Sequence, residues 1–95
     1  MKAIIFDRDG TLVEFVHFLH NIEDVRLNKD IIKTLKYINS LDSLKIYIHT
    51  NQSGVYRGFF KIEDVEKCNN KMLEILKKIY KIDFSFEKIY IATSF

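Results

Sequence analysis

The sequence predicts an α/β domain on a parallel sheet, and three observations carry that reading. An apolar run at residues 3–6 stops at two aspartates, an alternating apolar segment at 44–49 runs into Thr-Asn-Gln-Ser-Gly, and helical periodicity lies between and after them. The order β-loop-α-β-loop-α-β has an economical solution in a parallel sheet with right-handed crossovers. The 95 residues are 47% hydrophobic and 14% aromatic, contain no proline, and show no repeat or linker, so 1–95 reads as one small domain.

Each element has its own signal. In 2–6, Ala3, Ile4, Ile5 and Phe6 form the continuous run expected of a strand covered on both faces, with Asp7 at its carboxyl end. Residues 14–27 show no clean period. Asn28 then offers an N-cap for a helix burying Ile31, Ile32, Leu35, Ile38 and Leu41. In 44–49, Leu44, Ile46 and Ile48 alternate with Lys45, Tyr47 and His49, a strand pattern. A long helix over 62–81 places Val65, Cys68, Met72, Ile75, Leu76 and Ile79 on one face, while its lysines read as a solvated one. Glu63 and Asp64 suit the positive end of that helix. Residues 88–92 read as the third strand.

Composition narrows the function classes. A formal charge of +2 with no basic stripe argues against a nucleic-acid groove or an anionic membrane as partner. Cys68 is the single cysteine, which leaves no internal disulfide and reads as a small apolar helix residue. No run reaches the length of a membrane span, so no membrane partner is expected and a cytoplasmic location is.

The chemistry gathers at strand ends. In open parallel sheets ligands bind beyond the carboxyl ends of strands, near a change in winding direction, and both polar clusters fall at such ends. Asp7 and Asp9 are one residue apart, so a bend after the strand brings a carboxylate and a backbone carbonyl to one hard cation, with Gly10 permitting the turn. A carboxylate can also attack phosphorus when a metal offsets the charge repulsion, while a second carboxylate protonates the leaving oxygen and later activates water. A calcium-type turn or a solvated acidic turn would also use these residues. The second cluster, HTNQSGVYRG, places Thr50, Asn51 and Ser53 at the next strand end, with Gly54 opening the backbone. Hydroxyls, amides and N–H groups suit a phosphate, and an ordinary polar turn uses the same groups locally. His17 and His20 have a metal-like spacing but no third ligand, and Tyr56, Phe59 and Phe60 read as core and staple residues.

The stretches FDRDGTLV and IHTNQSGV together resemble the two leading signatures of the haloacid dehalogenase-like (HAD) hydrolases. Arg8 between the aspartates and TNQSGVYRGFF resemble the subgroup of D-glycero-D-manno-heptose 1,7-bisphosphate phosphatase and histidinol phosphatase. The resemblance covers nearly the whole chain and implies a three-layer Rossmann-like fold with a parallel sheet, truncated after the third strand. It implies Asp7 as nucleophile and magnesium ligand, and Asp9 as general acid/base that also gives its backbone carbonyl to the metal. Thr50 and Asn51 become phosphate binders and Arg57 a substrate contact. Members of this subgroup continue into a cysteine and histidine loop that often binds zinc, a lysine segment and a further acidic motif. At that place this chain reads IATSF, so no zinc site is expected within it.

The expected function is a magnesium-dependent phosphatase of a small phosphorylated metabolite, of the sugar phosphate kind, acting through a phosphoaspartate. Two other readings stand beside it. One is a truncated or split protein that binds magnesium, phosphate or a partner without turnover, and the other is a polynucleotide 3′-phosphatase. An open sheet edge after the third strand invites a homodimer or a completing chain.

Overall fold

In the computed structural model, residues 2–17, 19–41, 44–51, 53–84 and 89–94 are described, with backbone alone at 2, 51, 53 and 89–94. Strands β1 (Lys2–Asp7), β2 (Leu44–Asn51) and β3 (Ile89–Ser94) form one parallel sheet in the order β1-β2-β3. Helix α1 (Ile32–Asn39) lies between the first two strands, and α2 (Ser53–Tyr56) and α3 (Ile62–Lys78) lie between the last two. Short 3₁₀ turns occupy Ile22–Asp24 and Lys29–Ile31. Among the described residues no helix is long and apolar enough to cross a membrane.

The register fixes the working edge. Lys2 lies opposite Leu44 and Asp7 opposite His49, while Thr50 and Asn51 pair with Thr93 and Ser94. Strand β2 therefore runs two residues past the expected 44–49, because β3 supplies ladder partners for Thr50 and Asn51. Strand β3 is likewise displaced from the expected 88–92; Lys88 lies outside the described residues. The strand order contains no reversal, so the expected change in winding direction is not found within the described sheet.

One core accounts for the packing. Ile32, Leu35 and Ile38 of α1 and Cys68, Met72 and Leu76 of α3 join Phe6, Ile46 and Ile48 of the sheet in a single cluster. Both helices thus cover the same face. Strand β1 was expected to be covered on both, but Ile5 is 74% exposed and Tyr47, its register partner, is 39% exposed. Successive crossovers in one direction place their helices on one side, which leaves Ala3, Ile5 and Tyr47 on the open side. The described residues thus form a sheet with one helical layer.

Helix ends explain the other departures. The Asn28 side chain accepts from the Asp30 N–H at 3.1 Å, which realises the expected cap on the 3₁₀ turn preceding α1. Helix α1 stops at Asn39, so Leu41 falls off its buried face and is exposed. At α3 the Lys61 N–H donates to the Asp64 carboxylate at 2.9 Å, and the Asp64 N–H donates to the Lys61 carbonyl at 3.0 Å. The helix ends at Lys78 rather than 81, leaving Ile79 66% exposed. Beyond it Lys81 takes a positive φ of 60°, the Ile82 N–H reaches back to the Leu76 carbonyl at 2.9 Å, and Ile82 fills the core in place of Ile79.

Residues 14–27, aperiodic in sequence, also contribute to the core. Leu19, Val25 and Leu27 are buried there, and Val13 bridges to both Asp9 and Leu27.

Candidate active site

The site is built from the turn that follows β1. The Arg8 N–H donates to the His49 carbonyl at 3.0 Å, which carries the ladder one step past Asp7. The chain then closes on itself: the Arg8 carbonyl accepts from the N–H groups of Thr11, Leu12 and Val13 at 3.4, 3.0 and 3.1 Å. Gly10, at φ 84°, donates to the Val13 carbonyl at 2.9 Å, and this left-handed position suits glycine. Asn28 clamps the far side of the turn. Its side-chain amide donates to the Thr11 carbonyl at 3.0 Å and its N–H to the Leu12 carbonyl at 2.9 Å. The residue that caps the turn into α1 thus also holds the loop that follows β1.

This geometry leaves two oxygen-bearing groups available among the described residues. Asp7 is exposed, and among the described residues its carboxylate has no hydrogen bond or ion pair. Among the same residues no N–H donates to the Asp9 carbonyl. A carboxylate and a carbonyl are hard oxygen donors of the kind magnesium takes while keeping several waters, so the donor set fits that ion. Among the described residues no three His, Cys, Asp or Glu side chains come together to hold a metal by themselves.

Asp9 is half-buried, and its carboxylate is gripped by Arg8. The guanidinium donates from Nη2 to Oδ1 at 2.9 Å and to Oδ2 at 3.2 Å, and from Nε to Oδ1 at 3.2 Å. Sequence reasoning gave Arg8 no structural role. Arg8 is 2% exposed and points into the molecule.

The second cluster reaches the same edge by a different face. Burial alternates along β2, so Thr50 follows Ile46 and Ile48 to the helix-covered side and is fully buried, while Asp7 and its register partner His49 are exposed. Asn51 closes β2, its side chain outside the description. Gly54, expected to open the backbone for a phosphate, serves packing: it is buried in α2, and a β-carbon there would collide with the ring edge of Phe60. Phe60 in turn stacks on His20 with ring centroids 5.1 Å apart and 4° between planes. Gly54→Ala is therefore expected to destabilise the fold by about 1–3 kcal/mol, as overpacking does, measurable as a lower urea midpoint. Arg57 is exposed on the turn after α2 and, among the described residues, touches neither aspartate. Burial pushes the Cys68 thiol up, consistent with an inert core residue.

The parallel sheet agrees with the comparisons. Residues 2–94 match the family model described as polynucleotide kinase 3 phosphatase. The chain belongs to that family. It is a member of the haloacid dehalogenase-like (HAD) superfamily, in the subgroup of the heptose-1,7-bisphosphate phosphatases. A probable D-glycero-D-manno-heptose-1,7-bisphosphate 7-phosphatase of Thermoplasma acidophilum is 31% identical over 83 residues, which are 83% of this chain and 51% of that one. The D-glycero-beta-D-manno-heptose-1,7-bisphosphate 7-phosphatase of Helicobacter pylori is 34% identical over 89 residues, 94% of this chain and 50% of that one. The fold matches a D,D-heptose 1,7-bisphosphate phosphatase from B. bronchiseptica, complexed with magnesium and phosphate, with a TM-score of 0.76 and 24% identity over 97% of this chain and 50% of that one. The chain thus spans about half the length of the relatives it matches.

Proposed function

We propose that the chain carries the nucleophile-bearing half of a magnesium-dependent sugar phosphate phosphatase. The observation that supports this most directly is the exposed Asp7 carboxylate at the carboxyl end of β1, without a partner among the described residues, beside an Asp9 held in place. Relatives named as heptose bisphosphate phosphatases, and a neighbour complexed with magnesium and phosphate, support the substrate class and the ion.

In this reading the Asp7 carboxylate attacks phosphorus and the ester P–O bond breaks, with Asp9 giving its proton to the departing oxygen. Asp9 then takes a proton from water as that water attacks the aspartyl phosphate, releasing inorganic phosphate and restoring Asp7. A magnesium ion on the Asp7 carboxylate and the Asp9 carbonyl would offset the repulsion between nucleophile and phosphate. Thr50 and Asn51, at the next strand end, are the proposed phosphate binders, which for the fully buried Thr50 requires its side chain to be uncovered when phosphate binds, and Arg57 is the proposed contact with the rest of the substrate.

The test is hydrolysis of a heptose bisphosphate, p-nitrophenyl phosphate and a 3′-phosphorylated oligonucleotide, each with and without magnesium. The oligonucleotide belongs in the set because the family description names polynucleotides. Activity on it alone would overturn the sugar phosphate class. A net charge of +2 without a basic stripe favours the metabolite, since a nucleic-acid backbone is met by clustered positive charge. No turnover on any of the three, together with magnesium-dependent phosphate binding, would mark a chain that binds without turning over.

The open sheet side supports a partner as well. Its apolar members are Ala3, Ile5 and Tyr47, and β1 has no second strand partner among the described residues; both the open side and that edge are surfaces of the kind another polypeptide covers. The 95-residue chain studied alone is expected to self-associate there, and Ile5→Lys to return it to monomer. Sedimentation velocity showing wild-type monomer at every concentration would reject the homodimer and leave a completing chain as the occupant to test.

A further inference from the structure

Asn69 stands where a helix core residue belongs. Helix α3 buries Val65, Cys68, Met72 and Leu76, and Asn69 lies among them at 3% exposure. A buried amide is unfavourable there unless its polar atoms are matched. Its match is Arg8, 61 residues away in sequence: the Arg8 Nη1 donates to the Asn69 Oδ1 at 2.8 Å. The guanidinium has only donors, so the amide oxygen must be the atom that faces it.

The Nε and Nη2 groups of the guanidinium are spent on Asp9. Oδ1 accepts from both Nε and Nη2, at 3.2 and 2.9 Å, whereas Oδ2 accepts one bond at 3.2 Å. The two oxygens are therefore unequal. Oδ1 is turned into the arginine and Oδ2 keeps capacity for another partner. The same anchorage keeps Arg8 from swinging to the adjacent Asp7, whose carboxylate has no partner among the described residues.

We propose that Asn69 is a positioning residue: by pinning Arg8 from α3 it orients the Asp9 carboxylate with Oδ2 presented for proton transfer. The proposal rests on the reading of Asp9 as general acid/base, and the experiment separates the two.

Two esters distinguish positioning from general damage. p-Nitrophenolate departs with little need for a proton, whereas the alkoxide of a sugar phosphate needs one, and general acid catalysis typically contributes about 10²–10⁴-fold. Asn69→Ala is expected to lower kcat on the sugar phosphate at least tenfold more than on p-nitrophenyl phosphate, with KM changed less than about twofold on either. Asn69→Asp keeps an acceptor oxygen at the same place and is expected to restore the wild-type ratio. Arg8→Lys keeps the charge, loses the fork and is expected to reproduce the alanine effect, which provides a second variant should Asn69→Ala fold poorly. Equal losses on both esters, or an aspartate variant no better than alanine, would overturn the proposal.

A readout free of turnover accompanies the kinetics. In nitrogen-15 spectra a pinned Arg8 gives a slowly exchanging Nε–H signal, assigned by its absence in Arg8→Lys. Its loss in Asn69→Ala and retention in Asn69→Asp support the anchorage even if wild type hydrolyses neither ester, an outcome that would reject the phosphatase reading alone. Persistence of the signal in Asn69→Ala rejects the anchorage whatever the activity.

Discussion

Asp7→Asn is expected to lower magnesium-dependent hydrolysis by about three powers of ten or more, while leaving the free energy of unfolding in urea within about 0.5 kcal/mol of wild type. The two halves of that expectation have one cause. Asp7 ends β1 with an exposed carboxylate that no described side chain or N–H engages, so an amide of the same shape removes no interaction from the fold. It does remove the carboxylate proposed as nucleophile, and it weakens the oxygen donor proposed for magnesium. Rates on p-nitrophenyl phosphate in excess magnesium, with and without chelator, give the measurement. Equal rates for wild type and variant would take Asp7 out of the mechanism. A drop accompanied by a falling midpoint would instead mean that the carboxylate supports the structure.

Asp7 was legible because its signal is local. An apolar run that stops at an acid says strand end, whatever the rest of the chain does, and the alternation of Ile46 and Ile48 with Tyr47 and His49 says the same of β2. The periodicity of α3 likewise survived, apart from a last turn that its termination removed. Arg8 was not legible, because its burial depends on Asn69, far away in sequence. No local pattern tells a buried arginine from a solvated one. Asn69 itself interrupts an apolar stripe, and a polar residue inside such a stripe is a usable signal when a charged partner is sought for it. Ile5 failed for a topological reason: the apolar run 3–6 reports that both sides of β1 are apolar, but strand order decides which side these helices cover. Thr50 was placed at the correct edge, yet its depth follows from the pairing of β2 with β3, which extends the alternation through it.

The largest stability effect is expected at Met72. It is fully buried in α3, one helical turn from Asn69 and Cys68, in the cluster that joins the helix to Phe6, Ile46 and Ile48. Replacing such a side chain by alanine removes its transfer free energy and leaves a cavity, together about 2–5 kcal/mol. A domain of this size has about 5–14 kcal/mol in total, at roughly 0.05–0.15 kcal/mol per residue. Met72→Ala is thus expected to consume a large share of the margin and to lower the urea midpoint steeply, with part of the population unfolded at 37 °C. Met72→Leu conserves volume and is expected to stay within about 1.5 kcal/mol of wild type. The pair also bears on function, because Met72 packs on the same helix that carries Asn69 toward Arg8. If the core sets that approach, Met72→Ala at a temperature where it remains folded shifts the ratio of sugar phosphate to p-nitrophenyl phosphate turnover in the direction of Asn69→Ala, and Met72→Leu does not. An unchanged ratio in a folded Met72→Ala would show that the Arg8 hydrogen bonds alone hold the Asp9 carboxylate, independent of the packing beneath them.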